Sequence, residues 1–334
     1  AMRRARHPPV RRAIGRLRRS QLDAPLLRGT TPGPPVVQAV EASAMKADVE
    51  LPDVIVLFVV RSSQFCVKAA AYMLDKGIPF RYQYLADPGV LAPPATVPVL
   101  RWGDKLIPDS QKILEFLHQF VEGAPIYPTE EAKELDSFLG SEFNQHVQYM
   151  SWIDDEGFES SMKGEVESAV PAVFRVLCPC CCAPRALLRN LGYEKKIMDK
   201  IVKYLPEETL AGGSAAVRES LRNHLKELNA RLERSNGFLL GTSEPTGADY
   251  GLFGMLSRLI GDSGSGLGPA YPGLVQEAQC EKIEEFFSMM NERCGGVRFT
   301  DDLGIPKGET FLPRSVDEQI AMRLPAGEVG AMEA

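Results

Sequence analysis

The chain has 334 residues, 44% hydrophobic and 25% charged, which is ordinary for a globular protein and leaves room for two domains. Its net charge of −6 is uneven, because residues 1–40 contain nine Arg and one Asp. The remainder is therefore acidic, and we do not expect it to bind nucleic acid. No apolar run approaches the ~20 residues of a membrane-spanning helix, so no transmembrane span is predicted.

Residues 1–50 are rich in Arg, Pro and Ala and are predicted to form a disordered basic N-terminal segment. Val10, Ile14 and Leu17 follow helical spacing with Arg between them, as is typical of mitochondrial and plastid transit peptides. An unstructured basic tail accounts for the segment equally well. The predicted location is therefore cytoplasmic, or mitochondrial or plastid if the segment is a transit peptide.

Residues 51–123 alternate strand and helix signals and are predicted to form an α/β domain. The run of apolar residues at 54–60 reads as a buried strand and leads into a helix, which Gly77 ends. Later patterns predict a strand at 80–85, a hairpin around Gly103-Asp104, and an amphipathic helix over 109–121.

The turn between the first strand and the first helix is the best candidate site. A helix N-terminus concentrates backbone N–H groups and positive potential, which favours a thiolate or another anion. Ser63 is the preferred hydroxyl, with Ser62 as the near alternative, and a plain N-cap is the competing interpretation of Ser63. Cys66, in the first helical turn, is a candidate thiol, although a buried structural thiol is the favoured reading.

Residues 124–300 carry only strong helical signals, and residues 301–334 are predicted to be an irregular tail. One long helix is predicted from Thr129 onward and another over 214–235. Thr246 and Asp249 are spaced to cap the start of a further helix. An α/β domain followed by an all-helical domain is the expected architecture.

Seven Cys are present, and four of them form one cluster: Cys178, Cys180, Cys181 and Cys182. Such near neighbours are poorly placed for disulfides, which favours a reducing compartment. An incidental surface loop is the first interpretation, lipidation the second and a soft-metal site the third. No metal is expected, because tetrahedral sites need wider ligand spacing.

Four segments together resemble the glutathione transferase superfamily: residues 62–80, 96–100, 107–117 and 237–256. The resemblance covers about residues 52–298 and implies a thioredoxin-like N-terminal domain at 51–123 and a helical-bundle C-terminal domain at 124–300. It implies a glutathione transferase in which Ser63 stabilises the glutathione thiolate for attack on a small electrophile, with glutathione as the co-substrate.

The same resemblance assigns the remaining binding residues. Val97 and Pro98 match the cis-proline turn whose backbone pairs with the cysteinyl part of glutathione, and Asp109 and Ser110 match the pair that holds its γ-glutamyl group. Aromatic residues of the first long helix of the second domain are candidates for the electrophile site: Phe143, Tyr149 and Trp152.

Residues 65–80 and the TGADYGLFGML stretch are also similar to the failed-axon-connections and metaxin branch. That branch implies a non-catalytic adaptor of the same fold, and leaves association with a membrane surface open. A homodimer is compatible with either reading, because many members of the superfamily dimerise.

Overall fold

The computed structural model describes most of the chain between residues 45 and 323. The described residues are 45–47, 49–85, 90–92, 96–164, 166, 192–235, 237–261, 268–297, 299, 310–313 and 315–323. Residues 1–44 of the Arg-rich N-terminal segment and the four-Cys cluster lie outside them. The described end of that segment is ordered rather than disordered, because Met45 forms an antiparallel bridge with Val121. Among the helices of this described part, none has the length and apolar character needed to cross a membrane.

A four-stranded mixed sheet forms the first structural unit, with strand order β2-β1-β3-β4. The strands are β1 (Ile55–Val59), β2 (Arg81–Tyr84), β3 (Val99–Trp102) and β4 (Lys105–Pro108). β1 pairs in parallel with β2 and antiparallel with β3, and β3 pairs antiparallel with β4. The predicted hairpin is confirmed, with Gly103 supplying the positive φ of its turn.

Two helices accompany this sheet, α1 (Gln64–Asp75) and α2 (Ser110–His118). Gly77, at φ +68°, follows the end of α1, as its sequence position predicts. Buried residues of both helices join Leu57 and Leu100 of the sheet in the main hydrophobic core. The thioredoxin-like arrangement predicted for this part of the chain is confirmed.

Helices make up most of the rest. They are α3 (Glu130–Phe138), α4 (Asn144–Trp152), α5 (Asp155–Gly157), α6 (Tyr193–Ile201), α7 (Glu207–Ala211), α8 (Gly213–Ser235), α9 (Gly247–Ile260), α10 (Leu274–Ala278) and α11 (Glu281–Arg293). The long helix predicted from Thr129 onward is confirmed, because helical residues run without a break from Glu130 to Trp152. A π-helical turn, Leu139–Phe143, lies within it between α3 and α4. A second π-helical turn, Phe158–Met162, follows α5.

The central helix α9 joins the two parts of the fold. Its predicted capping box is present, with the Asp249 carboxylate accepting from the Thr246 backbone N–H at 2.8 Å. A Cβ at Gly254 would come within 2.4 Å of the Gln64 carbonyl oxygen, so only glycine allows this approach to α1. The main core continues across the contact and includes residues of the sheet, α1 and the helices.

The C-terminal segment differs from its prediction. Within the region expected to be irregular, a further helix, α12 (Val316–Ala321), begins at the N-cap Ser315. Arg323 then forms a parallel bridge with Leu106 of β4. The reason is tertiary, because Phe311, Leu312 and Met322 pack against a second apolar cluster on the sheet.

Candidate functional site

Ser63 lies at the junction of β1 and α1, where the sequence predicts a strand–turn–helix. It is the N-cap of α1, in extended conformation at φ −94° and ψ 110°. Its side-chain oxygen accepts a 3.4 Å hydrogen bond from the Cys66 backbone N–H, and its carbonyl oxygen accepts one from the same N–H at 3.0 Å. The side chain is half-buried, so solvent still reaches this turn.

The capping contact of Ser63 leaves its hydroxyl proton available for a further hydrogen bond. A serine hydroxyl carries one donor proton and two acceptor lone pairs, and the contact with the Cys66 N–H uses an acceptor. The proton can still be donated to an anion beside the positive end of α1. Capping and thiolate stabilisation are therefore compatible at this residue.

Cys66 occupies the buried side of the same helical turn. Its side chain is fully buried, and burial raises the pKa of the Cys66 thiol to about 11, although the hydrogen bond with Ser63 opposes that rise. A thiol with such a pKa stays protonated at neutral pH and is a poor nucleophile. The position of Cys66 is that of a structural thiol.

The Val97-Pro98 peptide bond is cis. It lies immediately before β3, whose first residue, Val99, pairs with Phe58 of β1 and with Pro108 of β4. Pro98 is buried and Val97 is half-buried. This turn therefore lies at the same end of the sheet as Val59, the last residue of β1. Ser63 follows Val59 by four residues.

Asp109 and Ser110 lie at that end too, between β4 and α2. Asp109 adopts φ +80°, which is uncommon for a residue other than glycine, and its Oδ1 accepts from the backbone N–H groups of Gln111 (2.8 Å) and Lys112 (3.3 Å). Asp109 is exposed, whereas Ser110 is buried as the first residue of α2. The loop thus presents an acid and a helix N-terminus together.

The structure brings these elements to one end of the sheet, and the three aromatic candidates differ in their burial. The Phe143 ring is fully buried and faces Phe138 and His224. Tyr149 is 7% exposed and belongs to the main core. Trp152 is only partly buried and packs against a small satellite cluster that contains Phe158. Of the three side chains, Trp152 retains the most surface for a ligand.

Two buried polar contacts join the parts of the fold beside Ser63. The Gln64 side-chain amide donates to the Asn144 side-chain oxygen, and the Lys68 ammonium donates to both Asp136 oxygens at 2.5 and 2.7 Å. The Tyr127 hydroxyl donates to the same carboxylate at 2.6 Å. Sequence reasoning missed these contacts, although a single Lys within the apolar run of α1 is a usable signal, because buried Lys residues need a partner.

Comparison with known protein families identifies both parts of the fold. Residues 62–119 match the family model described as "Glutathione S-transferase, N-terminal domain". Residues 211–276 match the one described as "Glutathione S-transferase, C-terminal domain". These two segments of the chain match the glutathione transferase superfamily. The first of these glutathione transferase segments spans Ser63, Val97-Pro98 and Asp109-Ser110.

Solved structures similar to this chain share little sequence with it. One is a glutathione S-transferase from Rhodospirillum rubrum F11, at 16% identity and TM-score 0.46, covering 76% of this chain and 96% of that one. Another is a beta-etherase from a Sphingobium strain, at 15% identity and TM-score 0.47, covering 71% and 94%. A third is glutaredoxin 2 from Salmonella typhimurium in complex with glutathione, at 17% identity and TM-score 0.41, covering 75% and 99%. No curated protein sequence matches the chain.

Proposed function

We propose that this protein is a glutathione-dependent transferase that joins the glutathione sulfur to a small electrophile. The observation that carries the proposal is the placement of Ser63, the Val97-Pro98 turn and Asp109-Ser110 at one end of the sheet. Each of the three offers a different kind of group, and together they complement a small thiol peptide with a carboxylate and an ammonium at one end.

Each residue has a distinct role in this proposal. The Ser110 hydroxyl and the Ser110 backbone N–H at the start of α2 hold the γ-glutamyl carboxylate, and the exposed Asp109 carboxylate receives the ammonium. The Val97 backbone pairs with the cysteinyl residue in the manner of an added strand. These contacts bring the thiol towards the turn at the start of α1.

Ser63 then favours the reactive form of that thiol. Its hydroxyl donates a hydrogen bond to the thiolate, and the N-terminal amides of α1 add favourable potential, so both lower the pKa of the bound thiol. The released proton goes to solvent, the sulfur forms a bond to the electrophilic carbon, and a leaving group departs with its electron pair. Holding both reactants together supplies much of the rate.

The electrophile would bind beside this turn, between the sheet and the helical part. Phe143, Tyr149 and Trp152 stay predictions for that site, and the partial exposure of Trp152 makes it the first to test. A Trp152→Ala variant should raise the KM for an apolar electrophile while leaving the KM for glutathione unchanged.

Titration of the full chain with glutathione by calorimetry tests the proposal. Saturable binding at millimolar glutathione, together with conjugation to a chlorodinitrobenzene, would support it. A chain that is folded by circular dichroism and does not bind glutathione in this range would exclude it.

A non-catalytic adaptor of the same fold is the second candidate. Ser63 and Asp109 each complete a helix cap, and such caps stabilise a helix whether or not a ligand is present. The adaptor proposal expects a folded chain with no glutathione affinity. The same titration therefore distinguishes the two candidates.

A further inference from the structure

The C-terminal segment, defined here as residues 310–313 and 315–323, lies across the face of the sheet formed by Val56 and Phe58. These two strand residues are 1% and 0% exposed, and they share an apolar cluster with Leu91. Phe311, Leu312 and Met322 of the segment pack against this cluster. The neighbouring strand residues Leu57 and Val59 face the main core. The sheet therefore has two apolar faces, and both must be covered to keep them from water.

The segment is also hydrogen-bonded to the sheet. The Leu106 backbone N–H on the outer edge of β4 donates to the Met322 carbonyl at 2.8 Å. At the other end, the Gln83 side chain of β2 donates to Thr310 Oγ1 and accepts from the Phe311 backbone N–H, both at 2.8 Å. Contacts on both edge strands hold the segment in one register across the sheet.

Gln319 is the most constrained side chain of this segment. It is 3% exposed, and its Oε1 accepts from the Ala92 backbone N–H at 2.7 Å. Its Nε2 donates to the carbonyl oxygens of Val90 (3.1 Å) and Pro313 (3.3 Å). Arg323 adds a bond from Nη2 to the Ala92 carbonyl at 2.5 Å. Both backbone groups of Ala92 are therefore bonded to the C-terminal segment.

Ala92 precedes Val97, the residue proposed to pair with glutathione, by five positions. Val97 itself packs against the same apolar cluster as Phe311, Leu312 and Met322. The C-terminal segment and Val97 therefore pack against one shared apolar cluster, and the segment is also hydrogen-bonded to Ala92, five positions before Val97.

We propose that Gln319 and Arg323 are positioning residues that hold the 90–92 loop and, through it, the Val97-Pro98 turn in the geometry that binds glutathione. This inference rests on the proposed function, because it assigns the C-terminal segment a part in the same site. Neither residue touches the ligand. Both act by restricting the backbone that does, so their loss costs affinity through added conformational freedom.

Gln319→Met in the full chain tests the proposal, because methionine fills a similar volume but makes neither strong hydrogen bond. We expect glutathione affinity and the KM for glutathione to worsen roughly tenfold, the factor that corresponds to one or two net hydrogen bonds. The KM for the electrophile and kcat at saturating glutathione should not change. Amide hydrogen exchange over residues 90–100 should become faster.

Two control variants separate positioning from general stability. Ile320→Ala alters a neighbouring side chain that is 51% exposed and should change nothing. Ser315→Ala removes the cap whose Oγ accepts from Glu318 N–H at 3.0 Å, so it weakens α12 without removing a contact to the loop. At matched thermal stability, Gln319→Met should lose more glutathione affinity than Ser315→Ala.

The outcomes separate this inference from the proposed function. If the unmodified chain does not bind glutathione, the proposed function fails and this inference fails with it. If the unmodified chain binds but Gln319→Met keeps full affinity or shows no faster exchange over residues 90–100, only the positioning role is overturned. Weaker affinity with faster exchange, both larger than in Ser315→Ala, supports it.

Discussion

The backbone N–H of Asp109 donates a 3.2 Å hydrogen bond to the carbonyl oxygen of Pro98. This bond joins the N-terminus of α2 to the turn that precedes β3, so two elements of the candidate site form one unit. A substitution that tests the Asp109 charge must therefore remove the carboxylate charge and keep the backbone conformation and the capping bonds of this residue.

Asp109→Asn makes that separation. Asn accepts the same capping bonds and tolerates positive φ, so the free energy of unfolding should change by less than about 0.5 kcal/mol. The loss of the carboxylate charge should weaken glutathione binding about tenfold, since a charge-assisted bond to the ammonium becomes neutral. Calorimetry measures the affinity, and Asp104→Asn, at an exposed acid of the hairpin turn, serves as the control. Unchanged affinity would remove Asp109 from the site.

Ser63→Ala should lower kcat/KM for conjugation by about 10- to 100-fold, because a hydrogen bond to a charged group is worth about 1.5–3 kcal/mol. The acid limb of the pH–rate profile should move to higher pH, since the pKa of the bound thiol rises without its donor. Loss of the cap should also cost about 1 kcal/mol of stability. Ser63→Thr should retain activity, and Ser62→Ala tests the neighbouring hydroxyl. Full activity in Ser63→Ala would eliminate Ser63 as the thiolate partner.

Cys66 should resist alkylation in the folded protein. Burial raises the pKa of its thiol to about 11, so the thiolate is scarce at neutral pH and the sulfur is shielded. Peptide-resolved mass spectrometry after iodoacetamide treatment should show labelling of Cys66 only in denaturant, with free glutathione as the positive control. Cys66→Ala should retain conjugation activity. Rapid labelling in the native state would contradict the buried position.

Lys68→Met should destabilise the protein by about 3–5 kcal/mol, because it leaves the Asp136 carboxylate buried without its cation. Adding Asp136→Asn removes the uncompensated charge, so the double variant should be more stable than Lys68→Met alone. Urea unfolding measures both values. Lys133→Met, at an exposed position of α3, is the matched control and should change stability by less than about 0.5 kcal/mol. A double variant no more stable than the single one would show that the pair does not depend on charge.

Stability should fall as the pH drops from about 6.5 towards 4, because burial lowers the pKa of His146 to about 4. The unfolded chain then binds a proton that the folded chain does not, which favours unfolding by up to about 3 kcal/mol. The His146 ring also faces the His224 ring, with centroids 5.0 Å apart. Charge repulsion between the two rings adds to the lowering of the His146 pKa. His146→Gln should flatten the pH dependence of urea unfolding in this range. An identical slope in both proteins would assign the dependence to other groups.

The local elements of this fold follow from short sequence patterns. The strand and helix around Ser63, the hairpin at Gly103 and the capping box of α9 each depend on residues within a few positions of one another. The strand–turn–helix pattern indicated the turn at Ser63, whereas Val97-Pro98 and Asp109-Ser110 became candidates through the resemblance to the glutathione transferase superfamily. The C-terminal helix carries such a signal too, in Ser315 three residues before Glu318, which went unrecognised.

Only the tertiary structure decided how distant segments meet. Three contacts join residues far apart in the chain: the pairing of Lys68 with Asp136, the hydrogen bond from Gln64 to Asn144, and the cover that Gln319 and its neighbours provide for the sheet. The raised pKa of Cys66 and the lowered pKa of His146 have the same origin, because burial depends on the surfaces that surround a group. Sequence by itself determined which groups are available for thiol chemistry, and packing determined which of them are buried and which reach solvent.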